Sequence, residues 1–260
     1  MKYVLITGAS SGIGECFARR FAAMGYSLVL VARRIDRLEA LCKELTEKNP
    51  KILFKAICAD LGNMEDCKRV MKEVANQHFS FFINNAGFGD CTYFLEGDID
   101  RELSMIDLNV KALHYFTKEM VKRMDAQKGG YILNVGSSAG LFPAGPYMAT
   151  YYATKSYVVS FSRAVAEELR SHKSPVYLGV LCPGPVETEF NQVANVKFAL
   201  KGITVDQCVD YALRKMKAKK VTIVPSFILR LGVFGGRFLP TSFLVRIVAR
   251  QQMKKIYEKK

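Results

Sequence analysis

The chain has 260 residues, half of them apolar and 24% charged. That is ordinary globular composition, enough for one α/β domain with a large core, and it excludes a disordered, collagen-like or low-complexity chain. The formal net charge of +14 is uneven: residues 201–260 hold 14 Lys and Arg against 3 Asp and Glu, so the body is nearly neutral and the tail strongly basic.

Short apolar runs alternate with longer stretches of helical period. The runs read as strands are Tyr3–Thr7, Leu28–Ala32, Ile52–Ile57, Phe79–Ile83, Tyr131–Val135, Val176–Leu181 and Val221–Val224. Helices are expected over Ile13–Met24, Arg34–Lys48, Met64–Gln77, Leu103–Met124, Tyr151–Ser171 and Val205–Lys217. Alternation of this kind predicts a Rossmann-like, doubly wound parallel sheet of about seven strands with helices on both faces. Residues 1–224 are read as one domain and 225–260 as its helical C-terminal extension, in which Ser226–Phe238 and Ser242–Lys255 are separated by Pro240.

Seven cysteines form no CxxC pair and three histidines form no HxxxH pair, so reduced thiols, a cytoplasmic setting and no metal site are expected. No secretory signal is read. The most apolar stretch, residues 221–249, is interrupted by Pro225, Arg230, Arg237, Pro240 and Arg246 and does not make a spanning helix. The basic residues form no nucleic-acid reader motif.

The first strand runs into Thr7-Gly8-Ala9-Ser10-Ser11-Gly12-Ile13-Gly14 and then a helix. Glycines allow a tight turn and close approach to a pyrophosphate, and the helix N-terminus offers it unpaired N–H groups. The second strand ends in Arg33-Arg34, where an NAD site needs a carboxylate for the ribose hydroxyls. Two guanidinium forks there suit a 2′-phosphate, so NADP(H) is expected, with Arg33 the main contact and Arg34 secondary. Tyr151 and Lys155 share one helix face at i,i+4. A tyrosine needs its pKa lowered about 3 units to act as a base at neutral pH, roughly 4 kcal/mol, and an ammonium about 4 Å away supplies roughly that much.

The spacing of the glycines, Asn84-Asn85-Ala86-Gly87, Asn109, Ser138 thirteen residues before Tyr151, Lys155 and Pro183-Gly184 together resemble the short-chain dehydrogenase/reductase family over about residues 3–224. The resemblance implies an oxidoreductase in which Tyr151 is the acid/base, Lys155 lowers its pKa and binds the nicotinamide ribose, Ser138 donates to the substrate oxygen, and Asn109 holds a water of the proton relay. It implies a cofactor site from Gly8, Ser10, Ser11, Gly12, Ile13, Gly14, Asp60, Leu61, Asn85, Ala86, Gly87, Pro183, Gly184, Val186 and Thr188, with Asp60 also explicable as a helix cap. It further implies a homodimer or homotetramer.

Substrate contacts are expected from Phe88, Phe94, Phe142, Tyr147 and Phe190 beside Ser138, with Glu189–Leu200, including Phe198, as a lid. Their apolar character predicts a bulky hydrophobic ketone or secondary alcohol, steroid-like, acyl or xenobiotic. Three fates of the tail stay open: packing over the active site or a partner subunit, peripheral membrane contact through residues 226–260, or solvated charge. Two functions also stay open: an NADP(H)-dependent carbonyl reductase, and a non-catalytic NADP(H)-binding sensor or scaffold acting through the tail.

Overall fold

In the computed structural model residues 2–190 and 202–257 are described, the last four as backbone only. Seven strands are numbered in chain order: β1 Tyr3–Thr7, β2 Ser27–Ala32, β3 Phe54–Cys58, β4 Phe79–Asn84, β5 Gly130–Val135, β6 Val176–Leu181 and β7 Thr222–Ile223. They form one parallel sheet in the order β3-β2-β1-β4-β5-β6-β7. The order reverses between β1 and β4, which opens a crevice beyond the strands' carboxyl ends. The expected doubly wound fold is what forms.

Both faces of the sheet are covered, which is why its strands are mostly apolar rather than strictly alternating. One face packs Phe17 and Phe21 of α1 (Gly12–Ala23), Leu38, Leu41 and Leu45 of α2 (Ile35–Lys48), and Cys208, Val209 and Ala212 from Val205–Lys217. The other packs Cys67 and Val70 of α3 (Met64–Glu73), Phe116 and Met120 from Leu113–Ala126, and Ala166 from Ala149–Ser171.

The stretch read as one helix over Leu103–Met124 is three pieces. Helix α4 (Ile99–Ile106) passes through a π-helical turn (Asp107–Ala112) into α5 (Leu113–Ala126). Such turns interrupt the ordinary hydrogen-bond ladder and occur often at functional sites. Helix α6 (Ala149–Ser171) follows, then α7 (Val205–Lys217), α8 (Phe227–Gly236) and α9 (Thr241–Tyr257). The last two fold back beside the crevice instead of extending into solvent.

None of the seven cysteines is disulfide-bonded. Among the described residues no cluster of ligands could hold a metal ion, and no helix is long and apolar enough to cross a membrane.

Candidate active site

The phosphate loop is fixed from below by the segment after β4. Thr7 Oγ1 accepts from the N–H groups of Asn85 (2.9 Å) and Ala86 (3.1 Å), while Asn85 Nδ2 donates to the carbonyls of Thr7 and Gly8, both at 3.0 Å. Gly8 has φ +63°, and a Cβ there would lie 2.8 Å from Asn85 Nδ2 and 2.9 Å from Ala86 Cα. Strain and space both demand glycine at this turn. The buried Asn84 next to it donates to Leu113 O (3.0 Å) and Asn134 Oδ1 (3.2 Å), tying β4 to β5 and α5.

Of the two arginines after β2, Arg34 closes over the loop. Its Nη2 donates to Ser11 Oγ (3.0 Å) and Ser10 Oγ (3.1 Å), and its Nη1 pairs with Glu189 at 3.0 Å. Arg37 takes the other Glu189 oxygen at 2.5 Å, and the two guanidiniums hold that carboxyl below the usual carboxylate range. Arg33 lines the crevice. Both arginines therefore stand at the end of the crevice, Arg34 bonded to the phosphate loop and Arg33 lining the wall. Asp60 and Leu61 line the adjoining wall, with Asp60 Oδ1 accepting from Gly62 N (3.0 Å).

Tyr151 and Lys155 project from one face of α6 into the crevice and are both buried. Lys155 Nζ donates to Val135 O at 3.0 Å and lies 5.9 Å from the Tyr151 ring centroid. Burial pushes Tyr151 above its ordinary value, and a hydrogen bond with Ser137 draws it partly back. Burial also lowers Lys155 to about 8. With protein groups alone, desolvation is the largest influence on the phenol; the expected lowering by the lysine cation belongs to the site with its dinucleotide bound.

The hydroxyl that meets Tyr151 is that of Ser137, one residue before the position chosen by thirteen-residue spacing. Ser137 Oγ also accepts from Ala139 N (3.1 Å), capping the 3₁₀ turn Ser138–Leu141. Ser138 lines the same cavity, and its own N–H donates to Pro183 O at 2.7 Å. Asn109 is fully buried in the π-helical turn, but its side chain clips the Phe88 backbone, accepting from Phe88 N (3.1 Å) and donating to Phe88 O (2.9 Å). It thus holds the wall of the site in place.

A cavity of about 1030 Å³ opens between these elements. It runs from Gly8, Ser10, Ser11, Gly12 and Ile13 past Gly87, Tyr151 and Lys155 to Pro183, Gly184, Val186 and Thr188. The glycine turn, the helix N-terminus and the Arg34 fork at one end, with apolar walls at the other, fit a dinucleotide and leave room for a second ligand.

The family profile described as short chain dehydrogenase matches residues 2–199. The chain belongs to the short-chain dehydrogenase family. It is 35% identical over 174 residues to a very-long-chain 3-oxoacyl-CoA reductase of Podospora anserina, covering 65% of this chain and 51% of that protein. The chain spans about half the length of that relative. A short-chain dehydrogenase from Sphingobium yanoikuyae, solved in complex with NADPH, superposes with TM-score 0.83 at 32% identity, covering 91% of this chain and 93% of that one. A bulky-bulky ketone specific alcohol dehydrogenase from Comamonas testosteroni gives TM-score 0.77 at 28% identity, covering 92% and 99%.

In this short-chain dehydrogenase Phe88, Phe142 and Phe190 border the cavity, and the Phe190 ring centroid is 5.6 Å from that of Tyr151. Two other expected substrate residues do not. Phe94 is 67% exposed on a short 3₁₀ turn, and Tyr147 packs outside the cavity against Tyr93. Phe198, with all but the first two residues of the expected lid, lies outside the described residues. The remaining wall comes from the tail: Leu229 and Gly232 of α8, and Leu244, Val248 and Gln252 of α9. Leu229 packs so closely on the Pro183-Gly184 turn that a Cβ on Gly184 would lie 2.2 Å from its Cδ1. Of the tail's three readings, packing over the site is the one realised for these residues.

Proposed function

We propose that this chain reduces a bulky apolar ketone to its secondary alcohol with NADPH, and oxidises the alcohol in reverse. The observation that carries this reading is the buried Tyr151 beside Ser137 and Lys155 in a cavity half built for a dinucleotide and half apolar. When bound, the nicotinamide supplies the hydride that the protein cannot. Tyr151, protonated by virtue of its burial, hands its proton to the carbonyl oxygen. The Ser137 hydroxyl donates to the same oxygen, where negative charge grows. Lys155, at about 8, stores a proton close to neutrality and would hold the nicotinamide ribose. A sensor of NADP(H) has no need for this arrangement. The names of the Podospora and Comamonas relatives, an acyl reductase and a bulky-ketone enzyme, agree with an apolar ketone.

NADPH oxidation against bulky ketones tests the reading, and the absence of turnover with every ketone would end it. NADPH should outcompete NADH by about tenfold or more, the scale of one hydrogen bond to a charged group. Arg34→Ala should cost about 10- to 100-fold in NADPH affinity and leave NADH nearly unchanged. Ser137→Ala should lower kcat by about 100-fold, as for loss of one oxyanion donor, whereas Ser138→Ala should stay within about fivefold. The opposite order would return the donor role to Ser138.

The tail's outer face supports contact with an anionic bilayer. Phe227, Leu231, Phe234 and Phe238 are all more than half exposed and follow one another at helical spacing. From Tyr211 to Tyr257 the chain has 11 Lys and Arg and no Asp or Glu. Aromatic insertion beside arginines is how interfacial helices bind. Phe234→Ser with Phe238→Ser should abolish flotation with phosphatidylglycerol vesicles; equal flotation of both proteins would remove the idea. Exposed Ile99 and Leu103 on α4 and Tyr157 on α6 offer a face for a homodimer or homotetramer, which light scattering reads directly as mass.

A further inference from the structure

A carboxylate already sits on a guanidinium expected to hold the 2′-phosphate. Glu189 Oε2 accepts from Arg34 Nη1 at 3.0 Å, and its Oε1 accepts from Arg37 Nη1 at 2.5 Å. The same Arg34 gives Nη2 to Ser10 Oγ (3.1 Å) and Ser11 Oγ (3.0 Å), and Nε to Ser10 Oγ (3.3 Å). One guanidinium thus joins the phosphate loop to the segment after β6. That segment lies close over the loop: a Cβ on Gly12 would be 3.2 Å from Thr188 Cγ2. Arg34 and Glu189 both border the cavity, and their side chains are 43% and 40% exposed, so a ligand can reach the pair.

A guanidinium has five N–H donors. On Arg34 the serines take three and Glu189 a fourth. A phosphate held by the fork needs two of them and brings close to two negative charges. The serines can yield at little cost, because a hydroxyl is neutral and can turn to donate to the phosphate. A carboxylate cannot: the two anions repel, and one must give up the fork. Glu189 is also ionised at neutral pH, since the two guanidiniums hold it below the usual carboxylate range. A cofactor with a bare 2′-hydroxyl meets no such conflict and leaves the ion pair where it is.

We infer that Glu189 sets how strongly the chain prefers NADPH over NADH, by competing with the 2′-phosphate for Arg34. It determines specificity and takes no part in proton or hydride transfer. Arg33 lines the same end of the cavity and is paired with no carboxylate among the described residues. The phosphate therefore keeps one uncontested partner, and the preference for NADPH is moderated rather than lost. The inference rests on the NADPH reading of the site.

The test is direct titration of the full chain, without ketone, by the fluorescence of bound NADPH and of bound NADH. Glu189→Gln should tighten NADPH by about three- to tenfold, the scale of two partly exposed ion pairs, and leave NADH within about twofold. Adenosine 2′,5′-bisphosphate, displacing NADPH, should gain by the same factor and adenosine 5′-monophosphate should not. In an Arg34→Ala background Glu189→Gln should add less than about twofold, because the contest is for that guanidinium. A gain of full size there would come from surface charge in general and overturns the contact. A ratio of NADPH to NADH affinity that fails to rise, whether both tighten, both weaken or neither changes, also overturns the proposal while the NADPH reading stands. Equal affinity of the parent for NADPH and NADH, unaltered by Arg34→Ala, overturns the NADPH reading and the proposal with it.

Discussion

Tyr151→Phe should lower kcat by about 10³-fold, within the range that a positioned acid/base contributes. The change removes one oxygen. The ring remains packed against Phe190 and the fold should not notice, because Ser137 keeps its bond from Ala139 N. NADPH affinity, read by fluorescence titration, should stay nearly unchanged, since the phosphate loop, Arg34 and the Asn85 clasp are untouched. The signature is a loss in the chemical step with binding retained, seen in single turnover as a slow transfer from a saturated complex. Activity surviving the substitution would mean that the proton comes from elsewhere, and the reading of the site would fall.

Lys155→Met should also abolish most activity, by about 10² or more, but with an opposite mark on stability. A lysine lowered from 10.5 to about 8 by burial binds its proton less tightly when folded than when unfolded. Between those two values the unfolded chain holds more protons, so the parent's stability rises with pH across that window; below about 8 it bears the full cost of the buried charge. At pH 7 that cost is on the order of 3 kcal/mol, against about 1 kcal/mol for the lost bond to Val135 O. The variant should therefore melt about 5 °C higher at pH 7, and its advantage should shrink as pH climbs from about 8 toward 10.5. A variant that melts lower at pH 7, or an advantage independent of pH, would show that the amine's burial is not what the site is built around.

The architecture was legible because the strands are mostly apolar runs, and a run buried on both faces needs no subtle pattern. Tyr3–Thr7, Val176–Leu181 and Val205–Lys217 fall where their periodicity puts them. The π-helical turn at Asp107–Ala112 was not legible, since an added residue per turn leaves the apolar spacing of a helix almost unchanged. Tyr151 and Lys155 were legible from their i,i+4 spacing taken together with the glycine loop, Asn84-Asn85-Ala86-Gly87 and the family resemblance. For the serine, thirteen-residue spacing points to Ser138; both serines line the cavity, Ser138 opening the 3₁₀ turn and Ser137 capping it and meeting the phenol. Phe94 and Tyr147 were drawn in by proximity in sequence, yet the loop after β4 carries Phe94 out to solvent. Gln252 carried no signal at all. Its partner, Tyr152, is 100 residues earlier, and an amide on a basic helix reads as a solvent-facing residue until the helix is seen to fold inward.

The cavity's two halves come from widely separated parts of the chain. Translation delivers the phosphate loop long before Val248 and Gln252. A nascent chain therefore possesses its nucleotide clasp, Thr7 to Asn85, long before it owns a ceiling for any second guest. Premature termination near Pro240 would release a product with the Thr7–Asn85 clasp and Leu229 in place but without the part of the wall that α9 supplies.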